Sequence, residues 1–385
     1  MPHILLESHS TNNIPIDKQV TFIARGTYDE KIGMKLDNKE FLLTKLQKGE
    51  NDLIKLDIPT RLTPVSLMKE ALNQYAALSK KKILFSNTDS IYNKVKPEEK
   101  YLKDINYFVN DFQTDKDIFV EVGFGSGTHL LHQASQNPEK IVIGLEIHTP
   151  SIEQVLKQAK IQGIENILVT NYDARLFLEF LNSNSVAKIF VHFPVPWDKK
   201  PHRRVMSNSF IKESMRVLKV DGTLELRTDS PNYYEYNLEL IENFKNYPIK
   251  ILKNNDLAVT SKYEARWKRQ EKTIWDIIFT ANENSPERIL EGNFSFDEFY
   301  DKKTLQEKFT NKTLKKEEFI IHLEDIYTIN TPFEGLLIKL TMGGFNKPVT
   351  KYLILEGTKL RYFQGEPLKT RLNLEAHKEL VEMLR

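Results

Sequence analysis

The chain has 385 residues, 40% of them hydrophobic and 28% charged, and 55 basic against 53 acidic residues leave a net charge of +2. This composition is typical of folded proteins, and the length predicts more than one domain. The absence of cysteine excludes disulfides, cysteine-ligated zinc, iron–sulfur clusters and a cysteine nucleophile. A net charge this close to zero gives by itself no indication of a polyanionic partner.

The sequence contains no pattern for export or membrane insertion. Residues 1–20 lack a basic start followed by a long apolar run, and no apolar run approaches the roughly 20 residues that span a bilayer. A cytoplasmic protein without a membrane partner is therefore predicted.

Residues 1–98 are predicted to form an N-terminal α+β extension. Runs at 19–24 and 31–36 are typical of strands, and Asp37-Asn38 indicates a turn. Thr63 and Pro64 have the pattern of a helix N-cap and first helical position. The polar composition between Phe85 and Glu99 indicates a boundary.

Residues 99–284 alternate short apolar runs with amphipathic segments, which predicts βαβ units and a mostly parallel, doubly wound α/β sheet. The predicted strands are 118–122, 141–145, 167–170, 187–192, 223–227 and an edge strand at 275–280, and the predicted helices are 127–135, 151–162, 174–181 and 209–218. A C-terminal α+β extension is predicted for residues 285–385. Its predicted strands are 318–322, 336–341, 351–355 and 359–363, before a helix near 372–384.

A glycine loop follows the first predicted strand of the central region. Gly123, Gly125 and Gly127 lead into a helix, and glycine lets the main chain turn sharply and lets a ligand approach closely. In open α/β sheets this edge forms the ligand crevice. The dinucleotide fingerprint G-x-G-x-x-G would need glycine where Thr128 stands, which weakens the prediction of a pyrophosphate ligand.

Acidic residues stand near the ends of the first three strands of this region. Glu121 directly precedes the glycine loop, where a cation would be favoured over a phosphate. Glu146 could accept hydrogen bonds from both hydroxyls of a ribose, and Asp173 could accept from the exocyclic amine of a base. Each acid alone is typical of a solvated loop. Together they predict a site for a cationic nucleoside, of which S-adenosylmethionine is the commonest.

Two basic segments lie beyond the fourth strand. The loop 193–204 contains Trp197 and carries Lys199, Lys200, Arg203 and Arg204 against Asp198, and at the end of a strand it is predicted to grip phosphates. The segment 260–272 interleaves cations with Tyr263 and Trp267, which fits either single-stranded RNA recognition or the end of an amphipathic helix. Asp229 is predicted either to cap the next helix or to hold a substrate base.

In the order and spacing of its motifs, residues 101–280 resemble the bacterial tRNA (guanine-N7-)-methyltransferases, the TrmB family. The motifs are 121–127 (EVGFGSG), 144–148 (GLEIH), Asp173-Ala174, 193–197 (FPVPW) with its basic tail, Thr228-Asp229 and 261–264 (SKYE). No single motif is specific, whereas the combination is. The resemblance implies a Rossmann-like class I methyltransferase domain without a metal site.

The resemblance also implies the activity, the cofactor and the roles of individual residues. S-adenosylmethionine would donate its methyl group to N7 of a variable-loop guanine of tRNA, at tRNA position 46. Glu121, Gly123, Gly125, Glu146 and Asp173 would bind the cofactor. The substrate residues would be Lys199, Asp229, Ser261, Lys262, Tyr263 and Glu264. Independently of the resemblance, positive charge develops on the purine during methyl transfer, and a fixed carboxylate near the base would stabilise it, so Asp229 is predicted to be the catalytic residue.

One position departs from the family pattern, which usually has Asp where this chain has Val195. The role of that Asp is then lost or moves to Asp198 or Asp229. Three alternatives stay open: another class I RNA methyltransferase, an NAD-linked oxidoreductase, and a tRNA-binding protein that keeps the fold without catalysis. The roles of the two extensions, the tRNAs used and the oligomeric state are not indicated by the sequence.

Overall fold

The computed structural model describes residues 2–8, 15–36, 39–60, 62, 65–88, 100–256, 272–345 and 347–385. The chain divides into two compact units, one of residues 94–289 and the other of residues 1–93 with 290–385. Among the described residues, no helix is both long and apolar enough to cross a membrane. Thr63, Pro64 and the predicted turn at Asp37-Asn38 lie outside the described residues, as does the predicted boundary at residue 98.

The N-terminal elements are mainly antiparallel strands. They are β1 (His3–Glu7), β2 (Val20–Arg25), β3 (Glu30–Leu36), β4 (Lys39–Lys48), β5 (Asn51–Leu56), α1 (Val65–Ser79) and β6 (Ile83–Ser86). Strands β2 and β3 confirm the sequence prediction closely, and α1 presents Met68, Leu72 and Tyr75 to the core at the predicted helical spacing.

The central elements follow the predicted alternation. They are α2 (Ile105–Asn110), β7 (Ile118–Val122), α3 (Thr128–Gln136), β8 (Ile141–Leu145), α4 (Thr149–Gln162), β9 (Ile167–Thr170), α5 (Ala174–Phe177), β10 (Val186–His192), α6 (Asn208–Val217), β11 (Leu218–Thr228), α7 (Pro231–Ile241), β12 (Ile249–Lys253) and β13 (Trp275–Thr280). The predicted helix 174–181 is shorter, because a 3₁₀ turn follows α5 at Leu178–Phe180.

These strands form one seven-stranded sheet in the order β12-β13-β11-β10-β7-β8-β9. From β9 to β11 all neighbours are parallel, whereas β13 is antiparallel to both β11 and β12. The prediction that 275–280 is the edge strand is wrong, because β12 pairs outside it. Strand β12 was missed because its side chains are mostly exposed and do not produce an apolar run.

Alternate side chains of the central strands enter two cores, one on each side of the sheet. Val120, Ile143 and Ile189 pack beneath α5, α6 and α7, while Phe119, Val142 and Phe190 pack beneath α3 and α4. Strands buried on both faces explain the nearly continuous apolar runs in the sequence. The result is a three-layer α/β/α unit, as predicted.

The C-terminal elements are α8 (Lys302–Lys308), β14 (Lys312–Lys315), β15 (Phe319–Ile329), β16 (Gly335–Gly344), β17 (Val349–Glu356), β18 (Lys359–Phe363) and α9 (Arg371–Leu384). Their strands continue the N-terminal sheet, in the order β18-β17-β16-β15-β2-β3-β4-β5-β1-β6, with β14 paired to β15. Here the structure differs from the prediction of two separate extensions. Strand β15 hydrogen-bonds to β2 at Thr328 and Ile329, and this long-range pairing has no local pattern.

Candidate active site

The carboxyl ends of five parallel strands meet at one edge of the seven-stranded sheet. Val122 of β7 lies opposite Leu145 of β8, and Leu145 lies opposite Thr170 of β9. His192 of β10 lies opposite Arg227 of β11. The chain leaves β7 for β8 on one side and returns to β10 on the other, so the crevice of an open α/β sheet is expected beside the glycine loop.

The three glycines of the loop have different surroundings. All three have positive φ, +68° at Gly123, +53° at Gly125 and +70° at Gly127, which favours glycine. A Cβ on Gly123 would have no heavy atom of the described residues within 4 Å, whereas one on Gly127 would lie 2.0 Å from Val155 Cγ2. The first glycine therefore borders open space, while the third lets α3 pack closely against α4.

The Glu146 carboxylate is already engaged by main-chain groups. Its Oε2 accepts from the N–H of Gly125 at 3.0 Å, and its Oε1 accepts from the N–H groups of Ile147 and His148 at 2.7 and 2.9 Å. A carboxylate has about four lone-pair positions, so one remains for a ligand while these bonds hold. The structure thus adds a loop-holding role to the predicted contact with a ribose.

Glu121 is the most buried of the acids at this edge, with 3% of its surface exposed. Its Oε2 lies 2.9 Å from Nδ1 of His129 in α3. The Nε2 atom of His129 lies 3.1 Å from the amide nitrogen of Gln133, and its ring lies 4.5 Å from the ring of His192. Burial, together with the neighbouring His129 and Arg227, holds the pKa of His192 well below its ordinary value.

Asp173 begins α5 and pairs with an arginine of the same helix. Its carboxylate accepts from the main-chain N–H of Arg175 at 3.1 Å, and it also binds the guanidinium at 2.8 and 3.1 Å. The same guanidinium donates to the carbonyl oxygen of His202 at 3.3 Å. Arg175 therefore connects the predicted nucleoside-binding acid with the basic loop 193–204.

Asp229 follows the last parallel strand and forms an ion pair with Lys272, with Oδ2 and Nζ 2.9 Å apart. The cap of α7 is Ser230, whose hydroxyl accepts from the N–H of Tyr233, so the alternative role of Asp229 as the helix cap is wrong. The preceding Arg227 is buried and binds both oxygens of Asp276 at 2.6 and 2.7 Å. That pair ties the end of β11 to β13 next to Asp229.

The basic loop divides into packed and exposed cations. The Arg204 guanidinium lies over the rings of Tyr236 and Tyr233 at 4.3 and 5.6 Å, and its Nε donates to the carbonyl oxygen of Pro196 at 2.8 Å. Arg204 therefore has a structural role. Lys199 and its neighbour Lys200 are exposed.

The same loop also carries one aromatic residue, Trp197, and one apolar residue, Val195. The guanidinium of Arg203 lies 5.1 Å from the ring of Trp197. Val195 is 59% exposed, so this apolar side chain faces solvent at the position where the family pattern usually has an acid. A position this exposed can hold either residue type without a packing cost.

The four predicted substrate residues Ser261, Lys262, Tyr263 and Glu264 lie outside the described residues. Sequence reasoning gave no role to His129, Arg175 or His192, and it treated Lys272 as one of the cations of the segment 260–272 rather than as the partner of Asp229. Only the eight-residue separation of His129 from Glu121, across a strand-to-helix turn, could have indicated that these two side chains meet. The other contacts depend on how separate strands are aligned.

A mixed seven-stranded sheet of this order, with a glycine loop and acids at its carboxyl edge, defines the fold of a class I methyltransferase. A family model described as "Putative methyltransferase" matches residues 115–277. The chain is 38% identical to the tRNA (guanine-N(7)-)-methyltransferase of Wolinella succinogenes, and the alignment covers 100% of both chains. It is also 38% identical to the tRNA (guanine-N(7)-)-methyltransferase of Campylobacter fetus, over 100% of this chain and 99% of that one.

The chain therefore belongs to the tRNA (guanine-N(7)-)-methyltransferase family, and it is a methyltransferase. Among solved structures, the 16S rRNA methyltransferase KamB is similar over 46% of this chain and 92% of its own, at 16% identity. Its TM-score is 0.36.

Proposed function

We propose that this protein transfers a methyl group from S-adenosylmethionine to N7 of a guanine in tRNA. The full-length match to relatives named for this reaction carries the proposal. The acidic edge of the sheet supports it, because a buried carboxylate beside an open glycine loop suits a cationic ligand better than a phosphate.

The proposed cofactor residues fit a cationic nucleoside. Glu121 offers an anion, Gly123 and Gly125 leave room for close approach, and Glu146 has one lone-pair position free. Asp173, already oriented by Arg175, would accept from the base. The cofactor supplies a methyl group on a positively charged sulfur, which makes the methyl carbon electrophilic.

The reaction needs little proton transfer from the protein, because guanine N7 has a free lone pair and no proton to lose. Alignment of the base and electrostatic stabilisation are the contributions left to the chain. Positive charge develops on the purine as the bond forms, and the Asp229 carboxylate would stabilise it. Lys272 partly offsets the negative charge of Asp229 through the ion pair described above.

Contacts to tRNA are proposed for Lys199 and for the segment 261–264. Lys199 is exposed beside the crevice edge and could bind a phosphate. The segment combines a basic and an aromatic residue with a hydroxyl and a carboxylate, which suits a nucleotide.

The test is transfer of labelled methyl from S-adenosylmethionine to bulk tRNA, with N7-methylguanine identified by borohydride and aniline chain cleavage. D229N should lower kcat by about 100-fold or more, as removal of a group that stabilises transition-state charge does. D198N is the matched control, because Asp198 lies in the neighbouring loop and only approaches Arg204 at 3.5 Å. If D198N rather than D229N abolishes transfer of the label to tRNA, the catalytic role belongs to Asp198.

If wild-type protein binds S-adenosylmethionine and tRNA but transfers no label, the alternative of a tRNA-binding protein without catalysis is favoured. If label enters tRNA but no chain cleavage follows, the protein is a different RNA methyltransferase.

A further inference from the structure

The cluster behind the glycine loop contains side chains to which the proposed reaction gives no role. It consists of Glu121 on β7, His129 and Gln133 on α3, and His192 on β10. Glu121 and His129 expose only 3% and 7% of their surfaces. A charged carboxylate that is buried destabilises the fold unless it is hydrogen-bonded. Loss of its hydrogen-bond donor should therefore have a larger effect than the same loss at an exposed acid.

The hydrogen bonds of His129 determine which of its ring nitrogens carries the proton. The amide nitrogen of Gln133 lies 3.1 Å from Nε2 and can only donate, so Nε2 accepts. Nδ1 then carries the proton and donates to Glu121 Oε2 at 2.9 Å. The bond from Nδ1 therefore fixes the direction of the Glu121 carboxylate.

The imidazole of His129 packs against aromatic neighbours. The rings of His192 and Phe190 lie 4.5 and 4.8 Å from the ring of His129. Among the described residues, His129 is the only one that hydrogen-bonds the Glu121 side chain, so Oε1 keeps its full capacity to accept.

We propose that His129 is a positioning residue of the cofactor site, whose Nδ1–H holds the Glu121 carboxylate as an oriented anion beside the glycine loop. This inference rests on the proposed function, since it requires a cationic cofactor to be bound there. Without the donor, the buried carboxylate would either take up a proton or turn toward water. In both cases the cofactor would lose an oriented negative charge, while contacts to its neutral parts would be unaffected.

The experiment compares the dissociation constants of two ligands by calorimetry. S-adenosylmethionine carries a sulfonium and an ammonium group, whereas 5′-methylthioadenosine carries neither. H129L should raise the dissociation constant of S-adenosylmethionine by about tenfold or more, which is the usual effect of losing a hydrogen bond to a charged group. It should change the dissociation constant of methylthioadenosine by less than about twofold. H132L, the same substitution at a partly exposed position of α3, is the matched control and should change neither.

Two further variants keep the test valid if H129L folds poorly. Asn places an amide nitrogen near the position of Nδ1, whereas Gln places it near Nε2. H129N should therefore restore most of the affinity for S-adenosylmethionine, and H129Q should not. In an E121Q background, H129L should have no further effect on the affinity, because the two residues act through one carboxylate.

Equal weakening of both ligands, equal behaviour of H129N and H129Q, or additive effects of H129L and E121Q would overturn the inference. A wild-type protein that binds S-adenosylmethionine and methylates tRNA, with H129L indistinguishable from it, would overturn this inference alone. A wild-type protein that does not bind S-adenosylmethionine would overturn the proposed function and this inference with it.

Discussion

Glu146 accepts a hydrogen bond from the main-chain N–H of Gly125 at 3.0 Å. The residue that follows β8 therefore holds the glycine loop that follows the neighbouring strand β7. The same carboxylate also accepts from Ile147 and His148. These three bonds are charge-assisted: the one from Gly125 holds the glycine loop, and the two from Ile147 and His148 hold the carboxylate in place after β8.

Replacing Glu146 with Gln should weaken S-adenosylmethionine binding by about tenfold or more. The NH₂ group of the amide can only donate, and it would replace a carboxylate oxygen that accepts from main-chain N–H groups. Hydrogen exchange of the Gly125 amide should accelerate in the free protein. The exposed Glu139, between α3 and β8, offers a control, and E139Q should leave both measurements unchanged. Weakened binding with unchanged exchange at Gly125 would assign the effect to the ligand contact alone.

Gly127 and Gly163 form a matched pair for the cost of adding a methyl group. Both have positive φ, +70° and +65°, but only a Cβ on Gly127 would collide, at 2.0 Å from Val155. G163A should destabilise the protein by about 1–2 kcal/mol, the cost of left-handed backbone. G127A should cost about 1–3 kcal/mol beyond that, from overpacking.

Urea unfolding checks this difference, and V155A should recover part of the loss in G127A but not in G163A. Equal destabilisation by the two glycine substitutions would show that α3 and α4 can separate without cost.

The exposed and the packed cations of the basic loop should respond differently to substitution. K199A/K200A should lower tRNA affinity and reduce the slope of log K against log salt by up to about 2, because each lysine that neutralises a phosphate adds about 1 to that slope. Thermal stability should not change. R204A should instead lower the unfolding temperature, because it removes the packing on Tyr236 and the bond to Pro196. A salt slope unaffected by K199A/K200A would contradict the proposed RNA contact.

His192 should contribute to the pH dependence of stability. Its pKa is lowered in the folded protein, chiefly by burial, whereas the unfolded chain titrates near 6.5. The stabilisation by the neutral ring is complete above about pH 6.5 and is lost as the pH falls below that value, since only the unfolded chain then binds the proton. H192N should therefore reduce the acid-side slope of the unfolding free energy by up to about 1.4 kcal/mol per pH unit. The exposed His202 is the control, and a slope that changes equally in H202N would contradict this assignment.

Deleting residues 290–385 should impair folding of the remaining N-terminal strands. The deletion removes β15 from its pairing with β2, and it removes Tyr352, whose hydroxyl donates to the buried Asp57 at 3.0 Å. Asp57 and Lys31 form a buried ion pair at 2.9 Å that this hydroxyl helps to satisfy. Aggregation or loss of amide protection in β2–β5 is expected, whereas a fragment of residues 94–289 keeps its own sheet and should stay soluble. Full protection of β2–β5 after the deletion would show that the N-terminal strands fold alone.

Much of the central unit could be predicted because its signals are local. Strands β7, β8, β9 and β13 have the predicted bounds, since strands buried on both faces produce apolar runs between helices. The exposed edge strand β12 and the polar strand β14 gave no such run and were missed. In the flanking regions β16 to β18 were recognised from apolar runs and glycine turns.

The sequence by itself determined the kind of site: a glycine loop after a buried strand, acids at the ends of three strands and cations beyond the fourth. The tertiary structure decided what each charge contacts. It gave Glu121 a histidine, Glu146 three main-chain donors and Asp229 a lysine, and it joined the two ends of the chain in one sheet. Strand and helix formation depend on periodicities within a few residues, whereas these contacts join residues brought together only by strand pairing. The net charge of +2 thus conceals local groups of acids and cations, whose positions composition cannot show.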